Sequence, residues 1–122
     1  MIRHCRYVIA VPDLQRSANY YRDTLGFEVV EIGDGWRFLR RDSCEIMVGE
    51  CPDAPSPGTL GDHSYFAYLE VDDVDDLYTA TMSRGAHVTK TLRTEPWGMR
   101  EFGIRTIDGH RIMFGAEAAP AV

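Results

Sequence analysis

A chain of 122 residues has the length of one ordinary domain, and its hydrophobic fraction of 44% is enough to bury a core. Its net charge of −6 argues against a nucleic-acid partner, which requires a basic face. The chain has no apolar run of the roughly 20 residues that cross a bilayer and no signal-peptide pattern at its N-terminus, so we expect a cytoplasmic protein without a membrane partner.

The first half of the chain predicts a strand, a helix and three further strands. An apolar run at 6–11 ends at Pro12 and predicts a strand that is buried on both faces. Asp13 is a good N-cap for the helix that follows, and Gly26 is a typical residue for its C-terminal end. The remaining strands of this half are expected at 27–32, 36–40 and 44–49.

The second half repeats this order. Val-x-Asp at 11–13 recurs at 71–73, and Asp-Ser-Cys-Glu-Ile-Met-Val-Gly at 42–49 is matched by Asp-Gly-His-Arg-Ile-Met-Phe-Gly at 108–115. The repeat predicts two units, at 3–49 and 63–117, within a single domain spanning 1–122. A Pro- and Gly-rich linker at 50–62 separates them. The elements expected in the second unit are a strand at 65–71, a helix between Asp73 and Gly85, and strands at 87–92, 100–106 and 110–115.

The cysteines do not predict a disulfide framework or a zinc site. There are three of them, Cys5, Cys44 and Cys51, and none forms a Cys-x-x-Cys pair. Reduced thiols are therefore the simplest expectation for this chain.

Two segments resemble a known superfamily. They are Val-Pro-Asp-Leu through Leu-Gly-Phe-Glu-Val-Val at 11–30, and Glu-Pro-Trp-Gly through Arg-Ile-Met-Phe-Gly at 95–115. Both resemble parts of the vicinal oxygen chelate superfamily, which includes glyoxalases, extradiol dioxygenases and bleomycin resistance proteins. The usual Asp-Pro-x-Gly turn of that superfamily is Thr-Ile-Asp-Gly at 106–109 here. The resemblance implies an α+β fold in which tandem βαβββ repeats form a curved mixed-sheet cup, the glyoxalase/bleomycin resistance fold.

The resemblance also implies where a metal would bind. Metal-dependent members take ligands from the first and last strands of each unit, and the matching positions here are Arg6, Met47, Phe66 and Met113. Zn²⁺ prefers His, Cys or carboxylate, and Mg²⁺ or Mn²⁺ prefers oxygen, so none of these four side chains suits a divalent ion. We therefore expect no metal and no cofactor.

A cup without a metal is expected to bind an organic ligand. Aromatic and methionine side chains with a few polar groups are typical of a pocket for a planar, partly apolar molecule. Alternatively, the apolar members of the set simply fill a core. The predicted ligand-binding residues are Arg6, Trp36, Phe38, Met47, Phe66, Trp97, Arg100, Glu101 and Met113.

Within the superfamily, the chain is most similar to the metal-free bleomycin resistance proteins. This likeness implies a homodimer that sequesters a small molecule, with an antibiotic as one candidate. A second hypothesis is a metal-dependent lyase, isomerase or dioxygenase whose ligands come from His4, Glu45, Glu50 or His63. A third is a metal-free enzyme that uses Arg6 and a carboxylate. The sequence leaves open whether a reaction is catalysed and whether the cup closes within one chain or between two.

Overall fold

The computed structural model describes residues 1–119, which form two βαβββ units. The one-domain organisation predicted for 1–122 stays a prediction, because the last three residues lie outside this range. A short 3-10 helix, Pro57–Leu60, lies in the linker. The first unit contains β1 (Tyr7–Val11), α1 (Leu14–Asp23), β2 (Glu28–Glu31), β3 (Trp36–Arg41) and β4 (Cys44–Glu50), and the second contains β5 (Tyr65–Glu70), α2 (Val74–Ser83), β6 (His87–Thr94), β7 (Met99–Arg105) and β8 (Arg111–Glu117).

Each unit builds one four-stranded mixed sheet. The strand order is β1-β4-β3-β2 in the first sheet, called sheet A, and β5-β8-β7-β6 in the second, called sheet B. The first and last strands of each unit pair in parallel, whereas the other neighbours are antiparallel. The predicted tandem βαβββ fold is confirmed.

The helices begin at the predicted caps. The Asp13 carboxylate accepts a hydrogen bond from the backbone N–H of Arg16 at 3.1 Å, and Asp73 does the same for Asp76 at 3.1 Å. These bonds satisfy backbone donors that have no partner within the first helical turn. No helix within residues 1–119 is both long and apolar enough to cross a bilayer.

The helix-facing sides of both sheets pack into one continuous hydrophobic core. Leu39 and Ile46 from sheet A are fully buried, as is Phe102 from sheet B. The Phe102 ring stacks on Phe114 with ring centroids 5.1 Å apart and meets the edge of Tyr78 at 5.0 Å. Because the helix-facing side of each sheet packs into this core, the other side of each sheet points away from it.

The expectation that β1 is buried on both faces was wrong. Ile9 and Val11 are buried, but Ala10 is exposed and the Val8 side chain is 62% exposed. The packed core covers only one face of sheet A, so every second residue of the apolar run faces outward.

The one-sided core predicts that replacing either of two isoleucines by alanine changes the free energy of unfolding by very different amounts. Ile104 is fully buried on the inner face of β7, whereas Ile107 is 42% exposed in the turn before β8. We expect Ile104→Ala to lower the free energy of unfolding by about 2–5 kcal/mol, and Ile107→Ala to change it by at most about 0.5 kcal/mol. Denaturant unfolding of both variants checks this. Equal losses would contradict the assigned core.

Candidate functional site

The outward faces of the two sheets carry the candidate site. Along each strand their residues alternate with those of the core. Open face A consists of Arg6, Val8, Ala10, Trp36, Phe38, Arg40, Glu45, Met47 and Gly49, and open face B consists of Tyr65, Tyr68, Lys90, Trp97, Glu101, Gly103, Met113 and Gly115.

The centre of open face A is apolar. Met47 lies between its register partners Val8 on β1 and Phe38 on β3. Next to them, the Trp36 indole lies across Gly49, where a Cβ atom would stand only 3.0 Å from the ring. The absence of a side chain at Gly49 therefore lets the indole lie flat against the sheet, while 42% of Trp36 stays exposed to solvent.

One end of open face A is polar. Glu45 accepts a hydrogen bond from Nε of Arg6 at 2.9 Å, and its other oxygen lies 2.8 Å from Nε2 of His4. Nε of Arg40 is 3.6 Å from the same carboxylate. The guanidinium groups of Arg6 and Arg40 also lie 5.4 Å and 5.6 Å from the centre of the Phe38 ring. The bonds from Arg6 and His4 lower the pKa of Glu45 to about 2, so this carboxylate is ionised and only weakly basic.

Open face B places two tyrosines over glycines. The hydroxyl of Tyr68 reaches to 1.9 Å from the point where a Cβ atom on Gly115 would stand. The hydroxyl of Tyr65 lies 2.8 Å from the equivalent point on Gly103. Both rings therefore lie across a neighbouring strand and form an aromatic surface beside Met113, the register partner of Tyr68.

A buried carboxylate lies beside this aromatic surface. Glu101 is only 3% exposed and accepts a hydrogen bond from the Trp97 indole N–H at 2.7 Å. Nζ of Lys90 is 3.6 Å from Glu101, 3.4 Å from Glu95 and 5.3 Å from the centre of the Trp97 ring. Desolvation, with a contribution from Glu101, raises the pKa of Tyr68 to about 12, so the phenol stays protonated at neutral pH. Open face B thus combines stacking surfaces with charged groups held in place.

The structure places most of the predicted ligand-binding residues on these two faces. Arg6, Trp36, Phe38 and Met47 share open face A, and Trp97, Glu101 and Met113 share open face B.

Arg100 does not lie with them. Its guanidinium binds Asp75 at the start of α2, with N–O distances of 2.9 to 3.2 Å, and so ties this helix to the edge of sheet B. Arg100 and Glu101 are neighbours in a strand, so they point to opposite faces.

Phe66 also differs from its expected position. A bulge between Tyr65 and Ala67 adds one residue to β5. Although Phe66 borders a small hollow beside Met113, its ring packs edge-on against Tyr7 and His110, with centroids 5.7 Å away in both cases. Tyr65 and Tyr68, which the sequence reasoning missed, cover open face B instead. The sequence signal that could have revealed them is Gly103 in β7 and Gly115 in β8, since a glycine inside a strand often marks a close approach by another group.

The residues at the metal positions of the superfamily do not fit a divalent ion. In the actual register, Met47 neighbours Val8 and Met113 neighbours Tyr68. None of these side chains is a good ligand for a hard or borderline cation. Within residues 1–119, no three His, Cys, Asp or Glu side chains are grouped in a way that would hold a metal ion.

The alternative ligand set is not assembled either. His4 and Glu45 are in contact, but the two guanidinium groups beside them disfavour a cation. Glu50 lies at the other end of β4, where its carboxylate accepts a hydrogen bond at 3.0 Å from the backbone N–H of Leu14.

Comparison with known proteins gives the family. Residues 2–114 match the model of the glyoxalase/bleomycin resistance protein/dioxygenase superfamily. The chain belongs to this superfamily. It is 29% identical over 119 residues to bleomycin resistance proteins of Geobacillus stearothermophilus and Staphylococcus aureus, in alignments that cover 87% of this chain and 90% of each relative.

Solved structures share the fold. The bleomycin resistance determinant encoded on transposon Tn5 superposes with a TM-score of 0.78 at 21% identity, covering 97% of this chain and all of that one. TioX from Micromonospora sp. ML1 gives a TM-score of 0.72 at 23% identity and covers 98% of this chain and all of TioX.

The contact between Tyr68 and Gly115 is testable. A methyl group in Gly115→Ala would displace the Tyr68 ring towards solvent, so we expect the pKa of Tyr68 to fall from about 12 towards the usual value near 10. NMR titration of ring-labelled tyrosine, assigned with Tyr68→Phe, measures this. Gly49→Ala, which instead meets Trp36, is the matched control and should leave the Tyr68 titration unchanged. An unshifted Tyr68 in Gly115→Ala would refute the contact.

Proposed function

We propose that this member of the superfamily is a metal-independent, cytoplasmic protein that sequesters a planar, partly apolar small molecule. The ligand lies between open face A of one copy and open face B of a second copy in a homodimer. The observation that carries this proposal is the set of aromatic rings lying flat over glycines on both open faces.

The arrangement of the two faces supports a dimer. Both point away from the core of their own chain, which favours a cleft formed with a second chain. Both also expose large apolar side chains, with Val8 62% and Trp97 65% exposed. A two-fold axis that brings open face A onto open face B of the partner does so twice and creates two equal clefts.

The chemistry of the faces supports a planar ligand. Trp36 and Phe38 offer stacking surfaces on one wall, and Tyr68 and Trp97 do so on the other. The charged groups of Glu45 and Glu101, already held by hydrogen bonds, would fix the orientation of the ligand. Relatives named bleomycin resistance proteins support sequestration as the role and an antibiotic as one candidate ligand.

The same geometry disfavours the third hypothesis. In a metal-free enzyme built on Arg6, the neighbouring carboxylate is Glu45. With a pKa of about 2, Glu45 is a poor general base at neutral pH, since proton abstraction is most efficient when the pKa lies near the working pH.

Ligand binding without a metal is tested by thermal unfolding. Acridine and naphthalene derivatives should raise the melting temperature by mass action, both with and without EDTA. Trp36→Ala or Trp97→Ala should remove most of this rise, because each variant deletes a stacking surface. Met82→Ala changes an exposed apolar residue of α2 and should keep the full response.

Two results would count against this proposal. One is a ligand response in both tryptophan variants equal to that of the parent protein. The other is a response that EDTA abolishes and that returns with a stoichiometric divalent ion, which would favour the metal-dependent enzyme.

The dimer is tested by light scattering after size exclusion. The parent protein should have twice the mass of the chain. Val8→Asp should shift the population to monomer, because it places a carboxylate in the centre of the apolar interface. Met82→Asp is the matched control, with the same added charge on the surface of α2, and it should stay dimeric. A monomeric parent at high concentration would rule out the two-chain cleft.

A further inference from the structure

A cavity of about 580 Å³, called the inter-unit cavity, lies where the two units meet at one end of the core. It is placed between the turn that joins β3 to β4 and the C-terminal end of β5. Its apolar walls consist of residues that belong to the hydrophobic core or pack against it, namely Tyr7, Phe27, Cys44, Leu69, Val71, Leu77 and Phe114. The inter-unit cavity therefore leads from the surface of the protein to the edge of its core.

The core leaves apolar surface uncovered in the inter-unit cavity. Tyr7, Leu69 and Leu77 all pack against the core, yet each of them stays partly exposed. Cys44 is also half-buried there, and desolvation raises the pKa of its thiol to about 11, as expected in apolar surroundings. A ligand that filled the inter-unit cavity would remove this surface from water, which is a general source of affinity.

Carboxylates surround the opening of the inter-unit cavity. Four exposed acidic residues line it, and these are Asp42, Glu70, Asp72 and Asp73. Within residues 1–119, none of these four carboxylates forms an ion pair. Arg41 is the basic residue of the lining, and its Nη1 atom donates to the carbonyl oxygen of Leu25 at 2.6 Å. The opening is therefore negatively charged and complements a cation.

The inter-unit cavity borders the open faces at two residues. Glu45 of open face A and Tyr68 of open face B reach its edge. The Glu45 carboxylate is already paired with Arg6 at 2.9 Å, so it adds little free charge. Trp36 and Trp97, the exposed tryptophans of the open faces, do not line the inter-unit cavity. Binding in this cavity can therefore be distinguished from stacking on the open faces by replacing a tryptophan.

We propose that the inter-unit cavity binds a small organic cation, an amine carried on an apolar ring. The ring lies against Leu69 and Leu77, and the ammonium group lies near the carboxylates of Glu70 and Asp72. A neutral apolar molecule would leave the acidic opening unused, and an inorganic cation would leave the apolar walls in contact with water. The proposal does not rest on the proposed function, because it requires neither the tryptophans of the open faces nor a second chain.

Calorimetry with 1-naphthylmethylamine tests this site, and 1-naphthalenemethanol, which has the same ring without the charge, is the matched ligand. The amine should bind about tenfold more tightly than the alcohol, as expected when several partly screened carboxylates each contribute a little. Added sodium chloride should reduce this difference, because it screens exposed charges. Trp36→Ala should bind the amine like the parent protein, since Trp36 lies outside the inter-unit cavity.

Charge-neutralising variants assign the binding to the acidic opening. Glu70→Gln and Asp72→Asn should each weaken binding of the amine roughly two- to fivefold and leave binding of the alcohol unchanged. Asp34→Asn is the matched control, because it removes the same charge at an exposed position of the turn between β2 and β3. This control should bind the amine like the parent protein.

Cysteine alkylation locates the bound amine independently of its affinity. Cys5 and Cys44 line the inter-unit cavity, whereas Cys51 does not, and all three thiols are free. The amine should slow alkylation of Cys5 and Cys44 by iodoacetamide, measured by mass spectrometry, and leave that of Cys51 unchanged.

Three results would overturn the proposal. The first is an alcohol that binds as tightly as the amine. The second is parental binding of the amine by both Glu70→Gln and Asp72→Asn. The third is loss of amine binding in Trp36→Ala without protection of Cys5 or Cys44, which would place the amine on the open faces.

Discussion

The burial of one core by the inner faces of both sheets is the constraint on which the rest of this structure depends. Side chains alternate along a strand, so a residue that points into the core has neighbours in the strand that point to the open face. Ile46 in the core places Met47 outside, and Leu39 does the same for Phe38. The candidate site is therefore a consequence of how the core is packed, and a change of register in any central strand would dismantle both together.

The helix caps, the order of the elements and the positions of the strands could be predicted, because the sequence patterns that indicate them involve residues close together in the chain. Asp13 and Asp73 cap the helices through hydrogen bonds to residues three positions later, and the sequence alone reveals such caps. The order of elements follows from the repeat, and every strand begins or ends within two residues of its expected position. Side chains alternate along a strand, so the burial of Ile46 places Met47 on the opposite face of sheet A. Phe38, its register partner on β3, lies on that same face.

The positions that differ from expectation depend on details of strand pairing that the sequence does not reveal. The bulge in β5 shifts one residue, and this turns Phe66 towards Tyr7 and His110 while Tyr68 takes the place next to Met113. No local sequence pattern predicts this bulge. Arg100 is a different case: it is the neighbour of Glu101 in β7, so strict alternation points the two side chains to opposite faces of the sheet.

The repeated Ile-Met-x-Gly motif gains a physical meaning from these contacts. In each unit the isoleucine packs into the core and the methionine faces outward, and the glycine, Gly49 or Gly115, lies beneath an aromatic ring. Glycine inside a strand costs about 0.5–1 kcal/mol relative to alanine, so its presence at both equivalent positions calls for a compensating role. The covering rings come from different elements, Trp36 from β3 and Tyr68 from β5. Because two unlike strands reach the same arrangement, a ring lying over glycine is a feature common to both units, and it provides the flat surface that the proposed stacking ligand would need.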